Sequence, residues 1–317
     1  MVYKTISELS ELVRSNLYKV PHDIDLVVGI PRSGMLPAMM ISLYLNKKVT
    51  DLDSFIEGRT FESGERSQYI QNKGCRKVLI IDDSVCSGNA ILKAKKKLEP
   101  IENSYELVYL APIVTSQGKN LVDLYFEIID DVRVFEWNLF HHGILENTCL
   151  DIDGVLNVDP TFDTDDDGST YINFLKNAIP LFIPTAPIHT LISCRLEKYR
   201  KYTEDWLEKY NVRYSNLIML DLPSKVERLK WNKHGEYKAQ YYKAHSNLCL
   251  FIESSKEQAN VIAAISHKPV ICVETNELIY IPLPPKRPSL FKRIKRYVRK
   301  RYPVFYAKLQ DRYKAKY

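Results

Sequence analysis

Short apolar runs alternate with amphipathic stretches along most of this chain, and that alternation constrains the fold more than any other feature. Residues 24–30, 77–81, 105–114 and 124–129 read as strands, with helices predicted over 35–45 and 90–98. A second set follows, with strands at 148–150, 188–193, 216–220, 248–252 and 269–273 and helices at 199–210 and 235–244. Strands alternating with helices build mainly parallel sheets covered on both faces. The expected fold class is α/β, with two doubly wound, mainly parallel-sheet domains. Ahead of the first strand, Thr5-Ile6-Ser7-Glu8 has the form of a capping box, and Ile6, Leu9, Val13 and Leu17 recur at helical spacing.

A length of 317 residues suits two domains. The boundary falls near 142–147, giving domains at 1–142 and 148–281. Pro282-Leu283-Pro284-Pro285 then leads into a tail over 286–317. That tail holds 13 Lys/Arg and one acid, Asp311, for a charge of +12, so the remaining chain carries −6. A split of this size marks an interaction tail. Leu290, Phe291, Ile294, Tyr297 and Val298 fall on one helical face among the cations. Such a basic amphipathic helix suits an anionic membrane surface. The rivals are nucleic-acid binding and a merely solubilising tail; nucleic acid is not expected, because neither domain resembles a nucleic-acid module. No apolar run reaches the ~20 residues of a membrane-spanning helix, and the amino terminus lacks a secretory signal's apolar core. Six widely spaced cysteines, with no Cys-x-x-Cys pair, speak for reduced thiols and against a zinc site or disulfide scaffold. The expected location is the cytoplasm, peripheral on the inner face of the cytoplasmic membrane.

Two strand ends in the first domain carry chemistry. The strand at 24–30 runs into Pro31-Arg32-Ser33-Gly34, where small residues opening a helix expose N–H groups to an anion and Arg32 adds a charged fork. The strand at 77–81 runs into Asp82-Asp83-Ser84-Val85-Cys86-Ser87-Gly88. Adjacent acids after a buried strand can hold the cis hydroxyls of a ribose, and the small polar loop can surround a monophosphate. This thirteen-residue stretch, 78–90, resembles the phosphoribosyl pyrophosphate signature of type I phosphoribosyltransferases, and Pro31–Gly34 resembles that family's pyrophosphate loop. The resemblance covers residues 1–140. Ser87 stands where Thr is usual, keeping the hydroxyl, and Ala90 where Thr or Ser is common. The resemblance implies binding of phosphoribosyl pyrophosphate with Mg²⁺ by Arg32, Ser33, Gly34, Asp82, Asp83, Ser84, Val85, Cys86, Ser87 and Gly88. Residues 55–74 fall where the family has a loop that closes over the reacting centre. Asp51, Asp53 and Glu57 are candidates for the general base by position alone. Residues 133–138, with Trp137, either line an acceptor site or pack.

The second domain opens with Cys149-Leu150-Asp151-Ile152-Asp153-Gly154-Val155-Leu156. Asp151 and Asp153 alternate with Ile152 as the chain leaves a strand, so both acids can serve one site. The stretch resembles the first motif of haloacid dehalogenase superfamily phosphatases. The resemblance makes Asp151 the phosphoryl nucleophile and Asp153 the general acid and base. It makes Ser193 the hydroxyl of the second motif and Lys238 the balancing lysine, with Lys243 as nearby rival. Mg²⁺ would be held by Asp151, Asp153 and Glu253, and Arg195 is a candidate phosphate contact. The fourth motif usually carries two acids; here Ser254 and Ser255 follow Glu253. Between Asp153 and Ser193 there is no room for a large cap domain, only an acidic loop, read as solvated, and one helix.

A transferase that leaves a ribose 5-phosphate, joined to a phosphatase that removes it, resembles bifunctional ribofuranosyltransferases of bacterial polysaccharide biosynthesis. The resemblance implies inverting transfer to the hydroxyl of a lipid-linked glycan acceptor, then dephosphorylation. The alternatives are a nucleobase phosphoribosyltransferase joined to a nucleotidase, and a phosphoribosyl pyrophosphate sensor.

Overall fold

Thr5 starts the first helix as its sequence predicts: its hydroxyl accepts the Glu8 N–H at 3.1 Å and Glu8 accepts the Thr5 N–H at 2.8 Å. The structure is a computed structural model describing residues 1–61, 76–165, 167–283, 297, 300 and 301. The first half runs β1 (Val2–Lys4), α1 (Ile6–Asn16), β2 (Leu26–Gly29), α2 (Met35–Leu45), β3 (Lys48–Asp51), α3 (Leu52–Ile56), β4 (Lys77–Ile81), β5 (Ser84–Val85), α4 (Asn89–Leu98), β6 (Glu106–Val114), β7 (Leu124–Ile128) and β8 (Arg133–Phe135). β3, β2, β4 and β6 are successive neighbours in a parallel sheet. Leu110 pairs with both Ile81 and Leu124, and Ile113 with both Ser84 and Glu127. β4 and β5 therefore share one edge of β6, with β7 on the other. The break between β4 and β5 is Asp82-Asp83, so both acids leave the sheet at one point.

The second half runs β9 (Thr148–Leu150), α5 (Ser169–Asn177), β10 (Ile188–Leu196), α6 (Arg200–Lys209), β11 (Tyr214–Leu220), α7 (Lys225–Trp231), α8 (His234–Ala244), β12 (Leu250–Glu253), α9 (Lys256–Ser266), β13 (Val270–Cys272) and β14 (Glu277–Ile279). The strand order is β11-β10-β9-β12-β13-β14, parallel except for the last pair. The chain builds outward from β9 to β11, then returns to the other side with β12. Ligands bind outside the carboxyl ends of strands at such a reversal, and here Asp151 follows β9 while Glu253 ends β12. The segment between Asp153 and β10 holds α5 and a short 3₁₀ turn over Phe162–Thr164.

One apolar cluster joins the halves. Tyr3, Val134, Leu139, Phe140, Ile144 and Leu145 pack with Leu150, Ile152, Leu191, Leu250 and Ile252, and the Tyr3 hydroxyl donates to Asn276 at 2.6 Å. Residues 1–280 accordingly form one compact body containing both sheets. Residues 281–317 form a second unit. The amphipathic tail expected there lies outside the described residues, except Tyr297, Lys300 and Arg301, which are helical.

The principal strands lie where the apolar runs predict. β3 was not expected: its sequence, Lys-Val-Thr-Asp, buries only Thr50, so it carries no apolar run. β1 and β8 pair with each other across 130 residues, a partnership invisible to local periodicity.

Candidate functional site

Gly34 brings the two candidate anion-binding loops of the first sheet together. A Cβ there would lie 2.5 Å from the Ile30 carbonyl oxygen, 2.6 Å from that of Ile81 and 3.0 Å from Asp82 Cα. Only glycine allows this approach. The Pro31–Arg32 peptide is cis, with Arg32 exposed and Ser33 half-buried beside it. Gly34 and Gly88, the residues preceding α2 and α4, provide no side-chain cap. The α4 helix thus offers N–H groups without partners among the described residues at the carboxyl edge of the sheet, the arrangement that receives phosphate. In α2, by contrast, the Met35 and Leu36 N–H groups donate to the Arg32 and Ser33 carbonyls at 3.2 and 3.0 Å, and Pro37 has none. Gly88 has φ +77°, and a Cβ there would meet Leu121 Cδ1 at 2.0 Å. Cys86 and Ser87 are exposed, Ser84 half-buried, Val85 buried.

Asp82 and Asp83 are both buried. The Asp83 N–H donates to Asp82 Oδ1 at 3.0 Å, and Trp137 Nε1 donates to Asp83 Oδ2 at 2.8 Å. Neither acid has an ion-pair partner among the described residues. Burial, reinforced by the neighbouring Asp83 charge, pushes Asp82 up to about 7. An uncompensated pair of carboxylates fits hydroxyl donors and a cation arriving with the ligand. All three positional candidates for the base are otherwise engaged: Asp51 caps α3 through the Asp53 and Ser54 N–H groups, and Asp53 pairs with Lys97 at 2.6 Å. Glu57 pairs with Arg59. Most of the loop expected to close over this centre lies outside the described residues.

At the second sheet Asp151, Asp153 and Glu253 each meet a cation. Lys238 Nζ donates to Asp151 Oδ2 at 2.6 Å, Glu253 Oε2 at 2.8 Å and Gln258 Oε1 at 3.0 Å. All three charged groups are buried, and Lys243 is exposed. Burial alone would lower the lysine, but the two carboxylates outweigh it and push it up. Burial raises Asp151, Lys238 opposes this and Glu253 adds to it; the net direction is up. Asp151 Oδ1 accepts the Ile152 N–H at 2.9 Å, and Glu253 Oε1 accepts the Ser255 N–H at 3.2 Å.

Asp153 belongs to a separate cluster. Arg195 donates to it through Nε at 3.0 Å and Nη2 at 2.6 Å, and also reaches Asn157 Oδ1 at 3.0 Å and Thr203 Oγ1 at 3.3 Å. Burial would raise Asp153; the Arg195 charge and its hydrogen bonds overcome that and hold it below the usual carboxylate range. Arg195, 1% exposed, is placed against Asp153 and is not open to a phosphate as the sequence suggested. The register of β10 with β11 shifts between Ile192 and Leu196, the stretch that carries Ser193 and Arg195. Ser193 Oγ accepts the Arg195 N–H at 3.1 Å.

Hard oxygen donors suit Mg²⁺. Asp151 and Glu253 supply two carboxylates around one lysine, one negative charge in excess. Gly154, at φ +71°, holds open a cradle that a Cβ would fill, 2.5 Å from Ser254 Cβ and 2.7 Å from Asp159 Oδ2. The donor set fits a divalent cation through Asp151 and Glu253, while the Asp153 carboxylate is directed to Arg195. Among the described residues no three His, Cys, Asp or Glu side chains gather closely enough to hold a metal by themselves.

Asn157, Thr203 and Gln258 escaped sequence reasoning, since nothing local marks them as partners of Arg195 and Lys238. The acidic loop is also not simply solvated. Asp165 pairs with Lys225 at 3.1 Å and Arg228 at 3.0 Å, and Asp167 with Lys198 at 2.9 Å.

No protein-family model and no curated protein matches the sequence. Among solved structures, a purine phosphoribosyltransferase from Pyrococcus horikoshii is similar over 43% of this chain and 92% of its own, at 22% identity and a TM-score of 0.32. The Helicobacter pylori xanthine-guanine-hypoxanthine phosphoribosyltransferase is similar over 43% and 93%, at 15% identity and a TM-score of 0.33. The orotate phosphoribosyltransferase from Aeropyrum pernix is similar over 38% and 70%, at 20% identity and a TM-score of 0.28.

Proposed function

We propose that this chain transfers 5-phosphoribosyl from phosphoribosyl pyrophosphate to a glycan hydroxyl and then removes the 5-phosphate. One observation carries the reading: a single body holds two acid clusters at carboxyl ends of two parallel sheets, one built for anions and hydroxyls, the other for phosphoryl chemistry. In the first site Arg32, Ser33 and the N–H groups at Gly34 receive the pyrophosphate. Asp82 and Asp83 accept the ribose hydroxyls, and Ser84–Gly88 surrounds the 5-phosphate. The acceptor oxygen bonds to C1 from the face opposite the pyrophosphate, which departs with the bonding pair, giving a β product. Fixed donors and charges stabilise the separating charges, with little covalent work for the protein.

In the second site Asp151 attacks phosphorus as the bond from phosphorus to the ribose oxygen breaks, and Asp153 in its acid form gives the departing oxygen its proton. Water deprotonated by the resulting Asp153 carboxylate later hydrolyses the aspartyl-phosphate. Lys238 keeps the nucleophile oriented and balances its charge. Arg195 orients Asp153 and favours its carboxylate form, the form that takes a proton from the hydrolytic water. Mg²⁺ bound by Asp151 and Glu253 would supply further neutralisation of phosphoryl charge. With no large cap over the site, the phosphorylated end of a bulky product has access. Fusion favours a glycan, since dephosphorylating a nucleobase product would undo nucleotide synthesis.

No helix among the described residues is long and apolar enough to cross a membrane. We assign the basic tail to the anionic membrane surface, where lipid-linked glycans reside; truncation after Pro285 should abolish co-sedimentation with anionic vesicles at low salt. Equal partition of full-length and truncated protein contradicts that assignment. Incubation with phosphoribosyl pyrophosphate, Mg²⁺ and either glycan acceptors or free nucleobases tests the main reading. Neutral ribosylated glycan is expected. Nucleoside products overturn the glycan assignment, and binding without turnover identifies a sensor.

A further inference from the structure

The two proposed sites leave unused the space between the sheets. Two adjoining cavities of about 360 and 300 Å³ share Glu136, Trp137, Phe140 and Phe182 as walls. Leu181 helps close one, and Val273 the other. Together they fall in the range of small-ligand sites. Trp137 connects this space to the ribose-binding acids, because its Nε1 donates to Asp83 Oδ2 at 2.8 Å. One indole ring separates the cavity wall from Asp83.

The wall chemistry selects the occupant. One face of Trp137 is stacked on Phe135 at 4.7 Å and 4°, and Phe140 and Phe182 stack on each other at 4.5 Å and 5°. These aromatics therefore present single platforms, with no open parallel pair to sandwich a flat base. A sugar stacks its apolar C–H face on one platform and turns its hydroxyls to polar groups. Glu136 supplies such a group: its Oε2 accepts the Ile6 N–H at 2.7 Å, and Oε1 has no protein partner among the described residues. We propose that this space, walled from both halves of the chain, seats the acceptor sugar ring. The inference rests on the transfer reading above and adds where the acceptor lies and what recognises it.

Saturation-transfer NMR on the full-length protein tests it, with methyl β-glucopyranoside and methyl β-galactopyranoside as probes against adenine and uracil. Pyranoside signals should saturate with wild-type protein and fall at least fivefold in both Phe182→Ala and Glu136→Gln. Phe182 is 42% exposed, so its truncation leaves the fold in place. Binding of phosphoribosyl pyrophosphate by calorimetry, and hydrolysis of p-nitrophenyl phosphate, should stay within twofold in both variants. Preferential saturation of the nucleobases, absence of saturation by either class, or a pyranoside signal surviving in both variants overturns the proposal. Failure of the wild type to bind phosphoribosyl pyrophosphate contradicts the transfer reading instead, whatever the sugars do.

Discussion

The two pairs of aspartates, Asp82–Asp83 and Asp151–Asp153, follow buried strands in the same way yet are treated oppositely by their surroundings. Asp82 and Asp83 stand buried with no cation paired to them among the described residues, and the Asp83 charge contributes to the upward shift of Asp82. Asp151 and Asp153 each meet a buried cation from a distant element, Lys238 and Arg195. The first pair is incomplete until a ligand brings hydroxyls and positive charge. The second is largely assembled before substrate arrives. Removing a cation from a buried, hydrogen-bonded cluster should therefore damage the fold, whereas removing one of the uncompensated acids should damage only function.

The sharpest way to break this comparison is Lys238→Met. It strands Asp151 and Glu253 as buried, unpaired carboxylates, a loss of about 3–5 kcal/mol, with phosphatase activity abolished. Urea denaturation checks the first and p-nitrophenyl phosphate hydrolysis the second; unchanged stability would mean that the lysine is not the keystone its distances indicate. The Asp82→Asn, Asp83→Asn double variant is the counterpart. It should abolish transfer yet leave thermal stability at pH 8 unchanged or higher. The sign follows from Asp82: a carboxyl raised to about 7 is penalised in the folded state once it ionises, so this group makes stability fall as pH rises from the ordinary carboxylate range to about 7. Asparagine removes that penalty. A large drop in melting temperature would contradict the picture of an uncompensated pair.

Arg195→Gln should act more mildly, lowering hydrolysis about a hundredfold. Its diagnostic is the pH profile, since Asp153 freed from the guanidinium should titrate higher and shift the acidic limb upward. A fall in rate with an unmoved limb would assign Arg195 a purely structural part. The smallest effect is in the wild type itself. kcat/KM for phosphoribosyl pyrophosphate should decline below about pH 7 as Asp82 takes up a proton, and a profile flat from about pH 8 to about pH 5 would contradict the part given to that carboxylate.

The sequence made the donor loop and the Asp151-Ile152-Asp153-Gly154 turn legible, because each is a contiguous run in which residue type and spacing carry the chemistry. Local spacing did not disclose that Arg195, 42 residues from Asp153, and Trp137, 54 from Asp83, are the partners of those acids, whereas Lys238, 87 residues from Asp151, was named only through the family resemblance. Arg195 looked like a phosphate contact because an arginine after a strand-ending serine is consistent with that task. In the fold it pairs with Asp153 and is held there by Asn157 and Thr203, residues that no local pattern ties to it. Local pattern reports which groups can do chemistry, and tertiary packing decides which charges they meet.

The central claim is that one chain attaches a phosphorylated ribose at one site and removes the phosphate at the other. The most direct test is mass spectrometry of the glycan product formed by the Asp151→Asn protein with phosphoribosyl pyrophosphate and Mg²⁺. The wild type should yield glycan bearing neutral ribose. The variant should yield the same glycan heavier by one phosphoryl group, formed at a comparable rate. Neutral ribosylated glycan released by the variant at the wild-type rate would contradict the account.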